Sequence, residues 1–253
     1  MRDAVGHRSY RTPPIVEALV EVQFGATDEW DLTIPGKLHE HPSIKTAYPG
    51  KPRQQKAVRA TIRPVAGQST DVTVQDSVAR ILLVSADEKR LLSLGQDALS
   101  VNTLAPYEGW TMFRPRVEAA IKAYADVTGA REIRRVEVRY INRIEVADTD
   151  VDLADLFNCG SMFPVAIPSE LRAFFQRTEH IYDDGTRLLL TFASVVAGSG
   201  ASGVLLDLDL AHDAVQPIYF DQVMSTIDDL HDREKKAFEA VITDRTRKLF
   251  DAN

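Results

Sequence analysis

Two similar stretches decide how this chain folds. They are Val16-Glu17-Ala18-Leu19-Val20-Glu21-Val22-Gln23-Phe24 near the N-terminus and Ile133-Arg134-Arg135-Val136-Glu137-Val138-Arg139-Tyr140 near the midpoint. In both, apolar residues recur at every second position, which predicts a half-buried β-strand. The segment from Val20 to Phe24 aligns on the segment from Val136 to Tyr140. The match predicts that the chain repeats one structural unit.

The elements that follow each strand support the repeat. In the first half we predict a short helix over 28–40, a loop over 41–55, strands at 57–65, 78–85, 90–94 and 98–103, and a long helix ending at Thr128-Gly129. In the second half we predict a strand over 132–146, a short helix over 152–157, strands at 171–182, 186–196 and 203–210, a long helix over 219–241, and a last turn capped by Thr243. Each half therefore reads as strand, short helix, antiparallel strands and long helix.

The expected fold class is α+β, built as a tandem duplication of this unit. By analogy of element order, it is a saddle like that of the TATA-binding protein or a helix-grip fold. We expect a flexible N-terminal arm over 1–12, a first repeat over 13–129 and a second over 130–253, with the halves packed as one unit. The alternative is an undivided α+β domain whose two similar strands match by chance.

Composition narrows the class of protein. The 253 residues are 44% hydrophobic and 26% charged, as in ordinary soluble globular proteins. No apolar run approaches the roughly 20 residues that span a bilayer, and the N-terminus lacks the apolar core of a signal peptide. A single cysteine, Cys159, excludes an intrachain disulfide and any metal site built from several cysteines. We expect a cytoplasmic protein that contacts no membrane and uses no cofactor.

Charge is distributed unevenly along the chain. Residues 145–232 contain 16 Asp and Glu against three Arg and no Lys, a net charge of −13. Because the whole chain carries −7, the rest carries +6. Such asymmetry bears on association with partners rather than on fold. The acidic segment predicts repulsion from phosphate backbones.

Several segments together resemble a sporadically distributed bacterial protein family of similar length that has no assigned function. The resemblance rests on residues 10–18 (YRTPPIVEA), 22–24 (VQF), 106–110 (PYEGW), 113–115 (FRP), 138–144 (VRYINRI), Leu230-His231, 237–239 (AFE) and 242–244 (ITD). These segments span the chain from end to end. The resemblance implies no catalytic residue, and a sporadic distribution suits accessory roles such as defence or toxin neutralisation.

The middle strand carries an unusual ladder of charge. Arg135, Arg139 and Arg143 share one face, and Glu17 and Glu21 occupy the corresponding face of the first strand. If the two strands lie side by side, we expect the glutamates to meet Arg139 and Arg143. One interpretation is a groove that receives a carboxylate, a phosphate or a protein partner. The other is a solvated charged face or an internal set of ion pairs.

A second charged feature is a basic patch in a loop. It comprises Lys45, Lys51, Arg53, Lys56, Arg59 and Arg63, with no acid between His41 and Ser69. This patch is the best candidate in the chain for contact with nucleic acid, since it offers several cations to phosphates. The acidic second half disfavours such binding, so we do not expect nucleic acid to be a partner. A solvated face is the alternative.

The remaining candidates for chemistry are weaker. The histidines, His231 among them, lack the spacing of known metal motifs, so we expect no metal site. Asp207 and Asp209 share a strand face but have no accompanying catalytic pattern, and Cys159 has no adjacent base. Asn142 interrupts the apolar face of the middle strand, which predicts a structural hydrogen bond. We therefore predict no catalytic residue.

Two functions remain open. The first is a non-enzymatic binding or regulatory protein that associates with a protein partner or with itself through complementary charge. The second is a small-molecule-binding protein or enzyme with a pocket between the sheet and a long helix. A pocket at Arg139, Arg143 or Asp207 favours the second, and a filled core favours the first.

Overall fold

The computed structural model of the chain describes residues 8–26, 30–63, 71–129, 131–145, 153–158, 173–196 and 202–250. The first half contains β1 (Ile15–Phe24), α1 (Ile34–Glu40), α2 (Pro42–Ala47), β2 (Arg53–Arg63), β3 (Asp71–Val84), β4 (Arg90–Leu94), β5 (Ala98–Leu104) and α3 (Trp110–Thr128). The second half contains β6 (Ile133–Glu145), α4 (Leu153–Leu156), β7 (Phe175–Ile181), β8 (Arg187–Val196), β9 (Ser202–Ile218), α5 (Val223–Val241) and α6 (Asp244–Leu249).

All nine strands join one antiparallel sheet. Their order is β2-β3-β4-β5-β1-β6-β9-β8-β7, so β1 lies at the centre and pairs with β6. Sheet and helices together give the mixed α and β architecture expected from the sequence. The predicted boundary between residues 129 and 130 divides the chain but not the sheet, because β1 of the first half pairs with β6 of the second.

The register of β1 on β6 places the two similar stretches side by side, as neighbouring antiparallel strands. Val20 lies opposite Val138, and Val22 lies opposite Val136. Between them, Glu21 lies directly opposite Glu137, the residue on which the sequence alignment places it. The two aligned stretches thus pair symmetrically about their equivalent glutamates at the middle of the sheet.

One face of the sheet is covered by helices and forms the core. Because side chains alternate across a strand, the even-numbered residues of β1, and those of β6 from Val136 onward, point to this face. Val20, Val22, Val136 and Val138 are each no more than 1% exposed. α5 packs on β6 and β9, and α3 packs on β5. The Phe24 ring stacks on that of Tyr124 from α3, at 4.6 Å between centroids and 16° between planes.

Most elements lie where the sequence predicts them, with three notable corrections. The strand predicted over 78–85 begins seven residues earlier, at Asp71, because β2 pairs with it from there. The prediction of a loop over 41–55 is wrong, because α2 and the beginning of β2 lie within it. His41 is extended and Pro42 occupies the first turn, where its fixed φ and missing N–H suit the beginning of a helix. β9 continues eight residues beyond its predicted end at Leu210, because β6 supplies a partner strand out to Ile218.

The helix cap at Thr243 forms as predicted, and the segment before β1 packs against the C-terminal part of the chain. Thr243 caps α6 as predicted, since its hydroxyl accepts a hydrogen bond from the backbone of Thr246 at 3.4 Å. Residues 1–7 of the predicted flexible arm lie outside the described residues. Tyr10 packs edge-on against Phe250 and Phe238, at 5.4 and 6.2 Å between ring centroids. None of the described helices has the length and apolar character needed to cross a bilayer.

Phe113 provides a test of the core, with a matched control beside it. It is fully buried in α3, whereas Met112 is 63% exposed. We expect Phe113→Ala to lower the free energy of unfolding by about 3–5 kcal/mol, since it leaves a cavity under the sheet. Met112→Ala should change it by less than about 0.5 kcal/mol. Urea denaturation followed by circular dichroism measures both, and equal effects would contradict the assigned facing of α3.

Candidate functional site

A cavity of about 350 Å³ lies between the sheet and α5, and we call it the α5 pocket. Four parts of the chain line it: residues 8–11 and 13–15 at and ahead of the start of β1, residues 107–110 at the start of α3, β6, and α5. It lies on the helix-covered side of β6, where Tyr140 and Asn142 point. Arg8 and Glu108 are exposed at its rim, so the pocket opens to the surface.

Local backbone features position the walls. Gly109 has a φ of +86°, which L side chains rarely adopt, and its carbonyl accepts a hydrogen bond from Phe113 N at 3.0 Å. The chain therefore turns sharply from Tyr107 into α3. On the opposite wall, Pro14 O accepts from Arg143 N at 2.8 Å, which attaches the segment before β1 to β6.

Tyr10 secures the outer wall of the pocket. Its hydroxyl donates a hydrogen bond to Glu239 Oε1 of α5 at 2.5 Å. Burial and the neighbouring Glu239 raise the pKa of Tyr10 to about 12, so it stays protonated and remains a donor. Residues 8–12 are thereby held against α5.

Three side chains form a continuous polar chain inside the pocket. The hydroxyl oxygens of Tyr107 and Tyr140 lie 3.0 Å apart, and the Tyr140 hydroxyl lies 3.1 Å from His231 Nδ1. When His231 Nδ1 is unprotonated, it accepts from Tyr140, which in turn accepts from Tyr107. Burial raises the pKa of both tyrosines above the ordinary value, so both hydroxyls stay protonated at neutral pH. The His231 ring also stacks on Trp110, at 3.9 Å between centroids and 16° between planes.

Glu234 is the most unusual group in the pocket. It is 5% exposed, and burial raises the pKa of its carboxyl from 4.5 to about 8. Lys235 lowers this pKa and Glu239 raises it, both by less than burial does. Its negative charge would lie close enough to Tyr107 and Tyr140 to raise the pKa of each. In the described part of the chain, no donor is hydrogen-bonded to the Glu234 carboxyl, which is therefore mostly uncharged at pH 7.

His231 and Glu234 occupy one face of α5. They lie three positions apart in the sequence (i and i+3), a spacing that brings helical side chains together. From the sequence, His231 is expected only to lack a metal motif, and Glu234 is not among the predicted site residues. A signal was present: position 234 follows Leu230 by four and precedes Phe238 by four, so an acid occupies the apolar stripe of the helix.

Asn142 confirms the prediction of a structural amide. It is 1% exposed, and its Nδ2 donates to the carbonyl of Leu206 on β9 at 3.2 Å. It also lines the α5 pocket, where its amide adds a fixed polar group to the wall.

The predicted charged groove lies on the other face of the sheet, where Glu21 is bound by neighbours other than those expected. The Glu21 carboxylate accepts from Arg80 Nη1 at 2.6 Å, from Ser100 at 2.5 Å and from Gln23 at 2.9 Å. Burial alone would raise its pKa, but these hydrogen bonds lower it. Glu17 instead accepts from Asn102 at 2.6 Å.

The three β6 arginines predicted to share one face, Arg135, Arg139 and Arg143, pair with acids of their own half. Arg139 binds Asp207 through two hydrogen bonds of 2.9 and 2.7 Å. Arg135 donates to Asp213 at 3.0 Å and to Glu137 at 3.2 Å. Arg143 Nε lies 3.7 Å from Glu145 Oε1.

The prediction that Glu17 and Glu21 meet Arg139 and Arg143 is therefore wrong. The two strands do lie side by side, but their register places Leu19 opposite Arg139 and Glu21 opposite Glu137. The arginines consequently turn toward the acids of β9 and of β6 itself. The paired groups form an internal network on this face.

Asp209 differs from the paired charges on this face, because one of its carboxyl oxygens has no hydrogen-bond donor among the described residues. Burial and the nearby Glu137 raise the pKa of its carboxyl to about 6, although Arg139 lowers it. Its Oδ1 is buried and accepts no hydrogen bond in the described structure. Asp207 shares the same strand face, as the sequence predicts, but is held by Arg139.

The basic patch is divided between a helix, a loop and an edge strand. Lys45 of α2 pairs with Glu40 at 2.5 Å, Arg53 of β2 pairs with Glu88, and Lys51 is exposed between these elements. The side chains of Lys56, Arg59 and Arg63 lie outside those that the structure describes, although their backbone forms β2. Within the described side chains, two of the predicted cations are thus paired with acids.

Neither a metal-binding cluster in the described part of the chain nor a similar curated protein identifies the site. Among the described residues, no three His, Cys, Asp or Glu side chains gather closely enough to hold a metal ion. No model of a known protein family matches the chain, and no curated protein sequence matches it. The geometry of the α5 pocket is therefore the basis for assigning a function.

The ion pair between Arg80 and Glu21, on the sheet face opposite the α5 pocket, can be tested with a single and a double variant. Arg80→Met removes the cation that binds Glu21, a residue 8% exposed, and should lower the free energy of unfolding by about 2 kcal/mol. The double variant Arg80→Met/Glu21→Gln should recover most of this loss. As a control, Arg53→Met at the exposed pair with Glu88 should cost less than about 1 kcal/mol. A double variant no more stable than Arg80→Met would contradict the pairing.

Glu234 makes stability depend on pH. Its carboxyl binds a proton more tightly in the folded state, with a pKa of about 8 against 4.5 in the unfolded chain. Its stabilising effect is complete below pH 4.5 and is lost as the pH rises toward 8, by at most roughly 1.4 kcal/mol per pH unit. In Glu234→Gln, the free energy of unfolding should fall less steeply over this range. Urea titrations at pH 5, 6, 7 and 8 measure the difference, and parallel curves would contradict the assignment.

Proposed function

We propose that this protein binds a small organic ligand in the α5 pocket. The observation that carries the proposal is a buried carboxyl, Glu234, that lines a cavity of about 350 Å³ without a hydrogen-bonded donor among the described residues. Burying an unsatisfied polar group costs free energy, so such groups concentrate where they serve a function. The cavity volume falls within the range of small-molecule sites, roughly 300–1,000 Å³.

The pocket offers both apolar and polar contacts. Trp110 and Phe238 supply aromatic surface, and Pro13 and Pro14 supply rigid apolar wall. Tyr107, Tyr140, His231 and Asn142 place hydroxyl, imidazole and amide groups around Glu234. A mostly apolar cavity with a few fixed polar groups is the usual composition of a ligand site. This is the second of the two functions considered from the sequence, placed around a different set of residues.

The proposed role is non-enzymatic binding. Arg139, Arg143 and Asp207, which the sequence suggested for a pocket, point to the opposite face of the sheet and are engaged with neighbouring charges. The proposal therefore does not assign ligand contacts to Arg135, Arg139, Arg143, Glu17 or Glu21.

The proposal extends to the origin of the scaffold. We propose that the chain arose by tandem duplication into a saddle-shaped sheet. The strand order supports it, since each half adds its strands outward from β1 or from β6. The register supports it as well, because a local two-fold axis through the Glu21–Glu137 pair relates the two aligned stretches.

Membership in the uncharacterised bacterial family also stays a proposal, with a cytoplasmic location and a role in defence or toxin neutralisation. One observation supports the first of these. The segments that carry the resemblance include residues 10, 11 and 13–15, residues 107–110, Tyr140, Asn142, His231 and residues 238–239, all of which line the α5 pocket. Positions that resemble a family and also line one cavity are consistent with a shared ligand site.

Association with a protein partner or with a second copy of the chain remains a prediction from the charge asymmetry. Mass measurements at low and at high salt test it, since association through complementary charge weakens with ionic strength. A monomer under both conditions, together with no partner recovered by pull-down, would contradict it.

Ligand binding can be tested with a screen and two variants. We expect a library of small polar aromatic compounds, screened by ligand-observed NMR, to yield compounds that bind the protein. Trp110→Ala should weaken the binding of these compounds by about tenfold or more, because it removes the ring that stacks on His231. Met112→Ala, two residues along the same helix and exposed, should leave binding unchanged. A library in which no binding depends on Trp110 would overturn the proposal.

A further inference from the structure

We infer that the ligand of the α5 pocket carries a positively charged nitrogen, an ammonium or a guanidinium group, that binds the Glu234 carboxylate. This inference rests on the proposed function and names the class of ligand. It is argued from three features of the pocket: the burial of Glu234, the aromatic side chains around it, and the arrangement of the other charged groups.

Burial of Glu234 leaves an acceptor without a donor. The side chain is 5% exposed and lines the cavity, and no described residue donates a hydrogen bond to it. By contrast, the buried Glu21 on the other face receives three donors. A carboxylate so placed is completed by a ligand that brings its own N–H donors and positive charge.

Aromatic rings in the same cavity favour a cation. Trp110, Tyr107 and Tyr140 all line the pocket, and the Tyr107 and Tyr140 rings meet edge to face at 5.7 Å. The faces of such rings attract a desolvated ammonium or guanidinium group. A carboxylate combined with aromatic walls suits an organic cation better than an anion.

The other titratable and charged groups around Glu234 do not replace such a ligand. The groups of this kind that line the pocket are His231, Lys235 and Glu239 on α5, Tyr140 on β6, Tyr107 and Glu108 before α3, and Arg8, Tyr10 and Arg11 ahead of β1. Of these, Lys235 lowers the pKa of Glu234, yet burial outweighs it and the carboxyl remains mostly protonated at pH 7. Arg8 lies at the exposed rim. The pocket thus contains an acid that no neighbour has ionised.

Proton release follows from this arrangement. Before binding, the Glu234 carboxyl holds a proton at pH 7, because its pKa is about 8. When the charged nitrogen binds, the carboxyl becomes a carboxylate and its proton passes to solvent, so nearly one proton leaves for each ligand bound. An anionic ligand would instead accept a hydrogen bond from the protonated carboxyl and release none. The number of protons released per bound ligand therefore distinguishes a cationic ligand from an anionic one.

The experiment uses paired probes and the full chain. The probes are phenethylamine, its uncharged counterpart 2-phenylethanol, its anionic counterpart phenylacetate, and further primary amines and guanidines, each with an uncharged isostere. Affinities are measured by calorimetry, and protons are counted by pH-stat titration in weakly buffered solution. We expect at least one amine or guanidine to bind about tenfold or more tightly than its isostere, with nearly one proton released at pH 7 and none above pH 9.5.

Two variants assign the effect to Glu234. Glu234→Gln keeps the shape of the side chain and should remove both the preference for the cation and the proton release, while binding of the uncharged isostere is retained. Asp209→Asn, which removes a buried acid on the opposite face of the sheet, should alter neither. A cation preference that survives Glu234→Gln would overturn the inference.

The remaining outcomes separate this inference from the proposed function. Equal affinity for charged and uncharged probes, a preference for phenylacetate, or binding without proton release overturns the cation inference and leaves the proposed function intact. The same holds if no cation binds while the screen yields uncharged ligands sensitive to Trp110→Ala. If neither the probes nor the screen yields a ligand that depends on Trp110, both proposals fail.

Discussion

The pairing of β1 with β6 at the centre of the sheet is the constraint on which the other features depend. Because side chains alternate with a period of two, a shift of one residue would send every side chain of a strand to the other face. The observed register, with Glu21 opposite Glu137, directs Val20, Val22, Val136 and Val138 into the core. It also directs Tyr140 and Asn142 toward α5 and the charged side chains away from it.

That register has an electrostatic cost which neighbouring strands offset. Two carboxylates directly opposite each other on an antiparallel pair are destabilising. Glu21 is held by Arg80 from β3 and by Ser100 from β5, whereas Glu137 is held by Arg135. The central pair thus depends on elements outside the two similar stretches. Within the described residues, most charges on this face are paired, apart from Asp209, whose buried Oδ1 accepts no hydrogen bond. Glu234 in the α5 pocket is a second buried acid to which no described residue donates a hydrogen bond.

Much of the architecture could be predicted from periodicity and turn chemistry. The bounds of β4 and β5, the helix α3 and the cap at Thr243 follow from local patterns, and the structure agrees with them. The patterns failed where a partner strand decides the outcome. β9 runs past Leu210 into His212 and Asp213, because β6 offers hydrogen bonds there and Arg135 binds Asp213. The expected pairs of Glu17 and Glu21 with Arg139 and Arg143 failed for a related reason, since the register of two strands is a property of the pair.

Local spacing in the sequence is enough to predict that two alternating stretches form strands, that long amphipathic helices cover a sheet, and that Asn142 needs a hydrogen-bond partner. The tertiary structure decided which charges meet and where the pocket lies. Tyr107, Tyr140, His231 and Glu234 come from three separate elements, and only their packing brings them to one cavity. The properties of Glu234 arise from that packing, since the protonation of a carboxyl depends on how far the surrounding fold removes it from water.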